Sequence, residues 1–374
     1  MKPRYEGVVC RLKEIRRARG MSQGRLAELV GVKRQAIYDI ESGKYVPNTV
    51  LALRLAHRLG CGVEDLFFEE SADEERAVTL AERQGRPGGR VIVAKVRGRL
   101  VGYPLSGRDA FNEGFKAADG LLEGEGGAVR LLRPESALER TVLLLGCDPA
   151  FSILGSHVSR RSPEARLHCR FASSRRALQG LAAGHAHLAG THLHNTDASE
   201  EANVELARQC MGSSPAWVVA FSFMEEGLMV ARGNPLGIRT VADLAGEGVR
   251  MVNREEGAAL RALLDDRLER AGVPAEAVRG YFEEVSTHLQ GARSVACGFA
   301  DAALGLRAVA EACGLGFVPL ETARCDLVVP EDLKDHPAVK IMLDTLQTRS
   351  LREELVSLPG YEASRTGDVV ARLR

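Results

Sequence analysis

Residues 22–43, SQGRLAELVGVKRQAIYDIESG, decide the fold of the first part of this chain. Ser22 is a residue type that caps helices, and apolar residues recur after it at helical spacing as far as Gly31. Gly31 favours the left-handed conformation in which helices end, and a second apolar series begins directly after it. The segment therefore predicts two short helices joined by a tight turn at residues 31–32.

The second predicted helix has an apolar side and a polar side. Its apolar residues fall together on one side: Val32, Ala36, Ile37 and Ile40. The residues on or near the other side carry donors and acceptors: Lys33, Arg34, Gln35, Tyr38 and Asp39. Such groups can bond to base edges and phosphates, so this helix is a candidate reader of duplex DNA.

Apolar series on both sides predict three further helices within residues 1–70. The first runs from Val9 towards Gly20, the fourth follows Pro47 with Asn48 as its cap, and a short fifth lies near residues 63–67. Ala27 lies where the two central helices should cross, and its small side chain permits a close approach. These features together predict an all-helical domain at residues 1–70.

The charge distribution singles out the same end of the chain. Residues 1–60 hold thirteen Lys and Arg against five acids, a net charge of +8, whereas the whole chain has 50 of each and sums to zero. The remaining residues therefore carry a net charge of −8. A basic module attached to an acidic body is typical of a phosphate-binding domain whose partner domain does not hold nucleic acid.

Residues 8–68 resemble the Cro and phage-repressor (XRE) family of helix-turn-helix domains. The resemblance rests on the entry Met21-Ser22-Gln23 and on the exit Ile-Glu-Ser-Gly-Lys at residues 40–44. It implies a dimer on a double-stranded DNA operator, with Gln23 clamping a phosphate. It also implies that Arg34 contacts guanine and Gln35 adenine. The remaining residues expected at this interface are Lys33, Tyr38 and Lys44.

Residues 71–140 predict a connecting region. Residues 71–89 turn acidic and then rich in Arg, Gln, Gly and Pro, which is typical of a linker. Residues 91–96 and 100–105 predict two strands around a turn at residues 97–99. We therefore expect a linker and a small β-containing segment before the body.

The body, residues 141–374, alternates predicted strands and helices. It opens with the continuous apolar run Thr-Val-Leu-Leu-Leu-Gly at residues 141–146, which is typical of a strand buried on both faces. Further strands are predicted at residues 167–171, 187–190, 218–223, 227–230, 249–252, 317–319 and 325–329. Helices are predicted at residues 175–183, 241–244 and 257–271. This alternation indicates an α/β domain.

Residues 141–351 resemble a periplasmic-binding-protein-like substrate domain of the molybdate-binding type. The matching pieces include Leu-Gly-Cys-Asp-Pro at 145–149, residues 178–192, Gly-Leu-Met-Val-Ala-Arg-Gly-Asn-Pro at 227–235, Val-Asn-Arg-Glu-Glu-Gly at 252–257, and residues 296–305. The resemblance implies two α/β lobes joined by a hinge and closing on a small solute. It also implies that the body is not a catalyst, so we expect no enzyme activity and no cofactor.

The ligand of such a cleft should lie at the carboxyl ends of strands, near helix starts with free N–H groups. The predicted contacts there are Ser173, Ser174, Thr191 and Arg254. Asp148 and Asp301 are acceptors that could orient a polar ligand, although a capping role within their own helices is favoured for both. These six residues form the predicted ligand site.

One departure from the family pattern bears on the ligand. Where such domains commonly carry Gly-Ser-Gly-Thr-Arg, residues 257–261 of this chain are Gly-Ala-Ala-Leu-Arg. Two hydroxyl donors are missing, which leaves backbone N–H groups and Arg254 to bind an oxyanion such as molybdate. A different solute and an empty cleft are the alternatives.

Four histidines lie close together in sequence and suggest a metal site. His185, His187, His192 and His194 fall within ten residues, and imidazole is a common metal ligand. In one strand, however, His187 would face the side opposite to His192 and His194, so the four cannot converge without a bend. No metal site is therefore predicted.

The eight cysteines are scattered without a Cys-x-x-Cys pair, and buried reduced thiols are the default expectation. Cys147 and Asp148 could form a nucleophile with a distant histidine, but no spacing specifies the partner. A packed thiol is the favoured interpretation.

No stretch approaches a membrane span, and the first residues lack the apolar run of a signal peptide. We expect a cytoplasmic regulator whose effector closes the lobes and changes its affinity for DNA. The alternative is a repressor whose body only dimerises and binds no ligand. A weaker third possibility is an enzyme targeted to DNA by its head.

Overall fold

The computed structural model describes residues 4–5, 8–69, 75–82, 86–107, 115–124, 127–195 and 201–374. The chain divides into two compact units, Met1–Glu74 and Glu75–Arg374. No helix within the described ranges is long and apolar enough to cross a membrane.

The first unit is a bundle of short helices with a small sheet. Its helices are α1 (Leu12–Ala18), α2 (Gln23–Val30), α3 (Arg34–Glu41), α4 (Thr49–Leu59) and α5 (Val63–Leu66). Its strands are β1 (Arg4–Tyr5), β2 (Val8–Cys10) and β3 (Phe67–Glu69), paired in the order β1-β2-β3. Val9 lies in a strand and not in the first helix, so that helix begins three residues later than its apolar pattern suggests.

The predicted helix caps of this unit are confirmed. The Ser22 hydroxyl accepts a hydrogen bond from the Arg25 N–H at 3.1 Å, and the Asn48 side chain accepts one from the Leu51 N–H at 2.9 Å. Gly31 ends α2 with a φ of +75°, in the left-handed region. The helices enclose one apolar core that includes Leu26, Ala27, Ile37 and Ile40. Ala27 is 2% exposed, as its predicted place at the crossing requires.

The second unit begins with a six-stranded sheet. Its strands are β4 (Glu75–Ala77), β5 (Thr79–Leu80), β6 (Arg90–Val96), β7 (Arg99–Pro104), β8 (Gly120–Leu122) and β9 (Ala128–Leu131), in the order β4-β9-β8-β6-β7-β5. The predicted hairpin is β6 and β7. Arg97 and Gly98 form its turn with φ values of 48° and 78°, the signs that a two-residue type I′ turn requires.

This six-stranded sheet shares a core with the α/β body. Ile92, Ala94 and Tyr103 pack in the same buried cluster as Leu143 and Leu145. The six-stranded sheet and the α/β body therefore belong to one compact unit, Glu75–Arg374.

The α/β body is built on a ten-stranded mixed sheet. Its strands are β10 (Thr141–Gly146), β11 (Arg166–Phe171), β12 (Leu188–Thr191), β13 (Ala216–Val230), β14 (Met251–Arg254), β15 (Glu284–Val285), β16 (Ala302–Leu306), β17 (Gly316–Pro330), β18 (Tyr361–Glu362) and β19 (Val369–Leu373). The order is β11-β10-β12-β17-β13-β16-β14-β15, and β18 and β19 also pair with β13.

Helices cover both faces of this sheet. They are α6 (Glu135–Leu138), α7 (Phe151–Arg161), α8 (Ser174–Ala182), α9 (Ala202–Met211), α10 (Ala259–Arg270), α11 (His288–Ala296), α12 (Arg307–Ala312), α13 (Pro337–Leu346) and α14 (Arg349–Val356). The helix predicted at residues 241–244 is a 3₁₀ turn, Val241–Ala245.

Two long strands divide the body into two lobes. The amino-terminal part of β13 pairs with the carboxyl-terminal part of β17 beside β10–β12, and this part of the sheet with its helices is lobe 1. The rest of the two strands lies beside β16 and β14, and this part is lobe 2. Each lobe has its own buried apolar clusters. The sequence suggested two strands in place of each, because polar residues interrupt both where they pass between the lobes.

Candidate functional site

The turn between α2 and α3 fixes the start of the candidate DNA-reading helix. Gly31 adopts its left-handed conformation, and the Val32 N–H then bonds to the Ala27 carbonyl at 3.0 Å. Lys33 follows as the extended residue that precedes α3. Arg34 and Gln35 therefore occupy the first turn of α3, the part of a recognition helix that contacts base edges.

The residues predicted to contact DNA lie on the surface of the first unit. Lys33, Arg34, Gln35, Tyr38 and Lys44 are all exposed, and Gln23 is half-buried. Gln35 Nε2 donates to Asp39 Oδ1 at 2.9 Å, and Lys44 Nζ lies 5.6 Å from the centre of the Tyr38 ring. These contacts orient the side chains along α3 without burying them.

A buried ion pair that the sequence analysis missed supports this surface. Arg16 and Glu41 are 6% and 5% exposed, and the guanidinium donates to both carboxylate oxygens at 2.5 and 3.0 Å. Gln23 Nε2 also donates to Glu41, at 2.8 Å. The pair joins α1 to the start of α2 and the end of α3. Glu41 belongs to the exit motif, but nothing in its spacing identified Arg16 as its partner.

The second candidate site is a cleft between the lobes of the body. A cavity of about 490 Å³ lies there. Lobe 1 contributes the segment from Gly146 to Ser152 after β10, and lobe 2 contributes Thr287 and His288 at the start of α11 and Val309 in α12. This volume is that of a typical small-molecule site.

Cys147, His192 and Glu226 are joined in a line beside this cavity. Cys147 Sγ is 2.7 Å from His192 Nε2, and His192 Nδ1 is 2.9 Å from Glu226 Oε1. His194 Nε2 bonds to the other oxygen of Glu226. Burial alone would lower the pKa of His192, but the negative charges of Cys147 and Glu226 outweigh it and raise that pKa well above its ordinary value. The sequence did not identify this histidine as the partner of Cys147.

Glu226 is a fully buried carboxylate held ionised by the same contacts. Burial acts to raise its pKa, yet His192 and His194 hold that pKa below its ordinary range. The residue lies in β13 next to a register shift between Glu226 and Gly227. The strand thus places its charge between the two lobes, where the two histidines reach it from the end of β12.

Arg254 and His288 bring buried donors to the same region. Arg254 is 3% exposed, and its guanidinium donates to the Ser286 carbonyl at 2.8 Å and contacts His288 Nδ1 at 3.0 Å. Burial lowers the pKa of His288 well below its ordinary value, and the Arg254 charge adds to this effect. The imidazole is therefore neutral, with Nδ1 as acceptor and a hydrogen on Nε2.

Two of these donors have no partner within the described part of the chain. They are Arg254 Nε and His288 Nε2, and both are buried. A buried N–H group without a hydrogen bond costs about 1–3 kcal/mol, so these two donors are available to an acceptor that enters the cavity.

The other predicted ligand residues are occupied by hydrogen bonds within the protein. Asp148 lines the cavity but accepts from Tyr361, Ser222 and the Ala150 N–H at 2.7, 3.1 and 2.8 Å. Burial raises the pKa of Asp148, although the hydrogen bond from Tyr361 opposes this. Its bond to the Ala150 N–H lies just before α7, but that helix has no side-chain cap hydrogen bond, so Asp148 is not its cap.

Ser174, Thr191 and Asp301 are also engaged. The Ser174 hydroxyl bonds to the carbonyl and N–H of His192 at 3.2 and 3.1 Å, and Thr191 donates to Asn203 at 3.3 Å. Asp301 accepts from the Arg250 N–H at 2.9 Å, in the turn before β14. Ser173 precedes α8, is 7% exposed and makes no side-chain cap hydrogen bond.

The four clustered histidines do not form one group. His187 is fully buried, accepts from the Leu143 N–H at 3.0 Å and contacts the Lys95 carbonyl at 3.1 Å. His192 and His194 both meet Glu226 instead. The alternation of the strand thus separates His187 from the other two, as its sequence position suggested.

Comparisons with known families give a match for each of the two parts of the chain. Residues 155–347 match the PBP superfamily domain, and residues 12–66 match the helix-turn-helix domain. The uncharacterized protein YvgK of Bacillus subtilis is 29% identical over 229 residues, which cover 61% of this chain and 73% of that protein. The uncharacterized HTH-type transcriptional regulator YgzD of the same organism is 43% identical over 60 residues, 16% of this chain and 91% of that protein.

Solved structures give a more distant likeness. Peb3 from Campylobacter jejuni matches 59% of this chain and 99% of its own, with a TM-score of 0.40 and 16% identity. The sulfate-binding protein SubI of Mycobacterium tuberculosis matches 59% of this chain and 86% of its own, with a TM-score of 0.44 and 13% identity. Similarities this weak do not indicate what this chain binds.

Proposed function

Because this chain belongs to the PBP superfamily and also carries a DNA-binding helix-turn-helix domain, we propose that it is a ligand-controlled transcriptional regulator. A small anion in the interlobe cleft would set its affinity for a DNA operator. The body would bind this effector and not turn it over, and the protein would act in the cytoplasm, where bacterial and archaeal operators are.

The proposed DNA contacts divide into two kinds. Arg34 and Gln35 would contact base edges in the major groove, because both are exposed on the first turn of α3. Lys33, Tyr38 and Lys44 would lie beside the backbone, and Gln23 would bind a phosphate at the start of α2. The net charge of +8 on residues 1–60 supports binding to any duplex, on which sequence preference is superimposed.

The observation that carries the ligand half of the proposal is the pair of unpartnered donors. Arg254 Nε and His288 Nε2 are buried without hydrogen bonds among the described residues, and His288 lines the cavity. An anionic acceptor would satisfy both at once. We therefore retain Arg254 and Ser173 as ligand contacts and add His288. Asp148, Ser174, Thr191 and Asp301 would instead hold the cleft in shape.

The walls of the cavity favour a small organic anion. Apolar side chains such as Phe171, Leu289 and Val309 line much of it, and its volume of about 490 Å³ exceeds the need of a bare tetrahedral ion. A carboxylate or phosphate group could accept from Arg254 and His288, while an apolar part of the ligand packs on these walls. An inorganic oxyanion such as molybdate is the alternative anion.

Effector binding would reach DNA through the geometry of a dimer. Heads of this family dock on half-sites about 34 Å apart, so a change in how two heads are held changes operator affinity. A ligand that binds the closed lobes better than the open ones shifts the population towards the closed form. The coupling then equals the difference in the ligand's affinity for the two forms.

The test is thermal unfolding of the full chain against two panels of anions. One panel holds molybdate, tungstate, sulfate and phosphate, and the other holds small carboxylic and phosphorylated acids. An effector at a hundredfold excess over its Kd should stabilise the body by about 2.7 kcal/mol. The Arg254→Met variant should lose this gain, whereas Arg270→Met, which removes an exposed guanidinium paired with Asp266, should keep it. DNA binding is then measured with and without the stabilising anion.

One observation favours a second candidate function. Ala258 and Ala259 at the start of α10 are buried and offer no hydroxyl to an oxyanion. A body without a ligand would serve only to pair two heads on DNA. If no anion of either panel shifts the unfolding of the full chain while operator binding persists, this second function replaces the first.

A further inference from the structure

Cys147, His192 and Glu226 form a row of three side chains. The proposed binding function does not require this row. The Cys147 thiol lies 2.7 Å from Nε2 of the His192 imidazole, and Nδ1 of that imidazole lies 2.9 Å from the Glu226 carboxylate. Glu226 lies at ion-pair distance from Nδ1 of the imidazole, and Nε2 on the other side of the ring is directed at the sulfur. An imidazole held in this way beside a thiol takes its proton and produces the nucleophilic thiolate.

We propose that Cys147 is a covalent modification site, whose sulfur, beside His192 and Glu226, adds to small α,β-unsaturated carbonyl compounds entering the interlobe cleft. The reaction at Cys147 requires neither the effector nor DNA binding. It can therefore be tested independently of the proposed function.

The charged groups around the sulfur of Cys147 come from both lobes. His192 faces it from the end of β12 and Arg254 from the end of β14, and both are cationic. Burial lowers the pKa of Arg254, and the negative charge of Cys147 is the largest effect that opposes it. Two acidic residues also lie near the sulfur. Glu226 is paired with two histidines, and burial raises the pKa of Asp148. Tyr361 and Cys325 lie nearby, and burial raises the pKa of each, so both stay neutral.

The sulfur is reachable, although little of the residue is exposed. Cys147 is 8% exposed and lines the cavity together with His288 and the apolar residues of the cleft. A conjugated carbonyl compound of a few carbon atoms fits in about 490 Å³. The unpartnered Nε2–H of His288 is available to the carbonyl oxygen of such a molecule, which would increase its electrophilicity.

The step balances without any further reactant. The thiolate sulfur of Cys147 forms a bond to the β-carbon, and the electron pair of the carbon–carbon double bond moves towards the carbonyl oxygen as an enolate. The imidazolium of His192 gives its proton to the α-carbon as the carbonyl is restored. The product is a saturated thioether, with no leaving group and no change in the number of electrons.

The experiment compares two cysteines of the same chain. The full-length protein is treated with limiting N-ethylmaleimide at about pH 6, where an ordinary thiol with a pKa of about 8.5 is mostly protonated. Modification at each cysteine is then followed by peptide mass spectrometry. Cys297 is exposed and serves as the internal reference. We expect Cys147 to react about tenfold faster than Cys297, because His192 lies 2.7 Å from its sulfur and can accept the thiol proton, and this advantage outweighs the burial of Cys147.

Variants test the roles of the two partners. We expect His192→Asn to reduce the rate at Cys147 about tenfold and Glu226→Gln to reduce it less, with the rate at Cys297 unchanged in both. The ultraviolet absorbance of the thiolate, taken as wild type minus Cys147→Ser, should disappear in the His192→Asn background. If His192→Asn does not fold, the ratio of the two rates in the wild-type protein decides alone. A slower reaction at Cys147 than at Cys297, or an unchanged rate in His192→Asn, would overturn the proposal.

Discussion

Arg34 and Gln23 start neighbouring helices, but their side chains have different surroundings. Arg34 is exposed and has no protein partner to constrain it among the described residues, whereas the amide of Gln23 donates to buried Glu41. A free guanidinium can follow the edge of a guanine, and an anchored amide suits a fixed phosphate. The two residues should therefore affect specificity and affinity differently.

Arg34→Ala should relax sequence preference. We expect it to weaken binding to the selected operator by about 1–3 kcal/mol while binding to random duplex changes little. Gln23→Ala should weaken both duplexes alike. Fluorescence anisotropy with the two duplexes at one salt concentration measures this. Equal losses on both duplexes for Arg34→Ala would contradict a base-reading role.

Glu41→Gln should destabilise the first unit. It leaves the Arg16 charge buried without its counter-ion, and removal of one partner of a buried pair costs about 3–5 kcal/mol. Hydrogen exchange of the amides in α1–α3 of the full chain measures the loss. The control is Glu28→Gln, which breaks the exposed pair with Arg25 and should cost less than about 1 kcal/mol. Similar costs for the two variants would show that Arg16 finds another partner.

The residues that the sequence identified are those whose roles are local. Ser22, Gly31 and Asn48 act on N–H groups and turns within a few positions, so their types and spacing are sufficient signals. Cys147, His192 and Glu226 are separated by 45 and 34 positions. The fold alone brings them together. A distant histidine could be imagined as the partner of Cys147, but no spacing distinguishes His192 from the other eight histidines of the chain.

At the scale of elements, two glycines allow β10 and β12 to pack beneath a large ring. A Cβ atom on Gly190 would lie 2.4 Å from Phe151 Cζ, and one on Gly146 would lie 2.6 Å from Phe151 Cε2. Phe151 is 1% exposed and is surrounded by the core of lobe 1. The ring cannot move away without disturbing that core.

Gly190→Ala should therefore destabilise the body by about 1–3 kcal/mol. Urea unfolding of the full chain, followed by the fluorescence of Trp217, measures this, because the single tryptophan lies in β13. Gly155→Ala is the matched control. Gly155 lies in α7, and a Cβ atom there would make only ordinary contacts with Leu167 of β11, so the change should be neutral or slightly stabilising. Equal midpoints for wild type and Gly190→Ala would refute the packing argument.

His187 links the two sheets of the second unit and should make its stability depend on pH. It contacts Leu143 in β10 and Lys95 in β6, and burial, with His336 nearby, lowers its pKa to about 3. An unfolded histidine takes up its proton below about pH 6.5. The unfolded state then binds more protons than the folded state, so stability falls as the pH drops from about 6.5 towards 3.

Replacing His187 should reduce that pH dependence. We expect the wild-type body to lose up to about 1.4 kcal/mol per pH unit through this group alone, and His187→Gln to lose correspondingly less. Urea unfolding of both proteins between about pH 7 and pH 4 gives the difference, again from Trp217 fluorescence. Parallel curves for the two proteins would mean that folding does not lower the pKa of His187.

Elements were predictable where their polarity pattern is uninterrupted. Strand β10 and helix α8 were predicted nearly at their observed bounds, because each is a single apolar or periodic run. Strands β13 and β17 were each predicted as two pieces, because charged residues such as Glu225 and Glu226 interrupt them between the lobes. Their continuity depends on pairing with each other, and no local signal encodes that pairing.

At the scale of the whole molecule, the proposed dimer predicts the form of the operator. Selection of bound fragments from random duplex should return an inverted repeat with half-site centres about 34 Å apart, or a multiple of that distance. Sedimentation of the protein with one such fragment should give two chains per duplex. A single half-site with one chain bound would contradict dimeric recognition and would remove the proposed coupling of ligand to head spacing.

The long strands β13 and β17 pair along nearly their whole length, with register shifts at Ala220–Ser222 and at Glu226–Gly227. A two-stranded ribbon with intact hydrogen bonds bends most readily at its irregular points. Any rocking of lobe 2 against lobe 1 should then pivot beside Glu226, while His192 stays with lobe 1. The distance between the Glu226 carboxylate and the His192 imidazole would therefore vary with the angle between the two lobes.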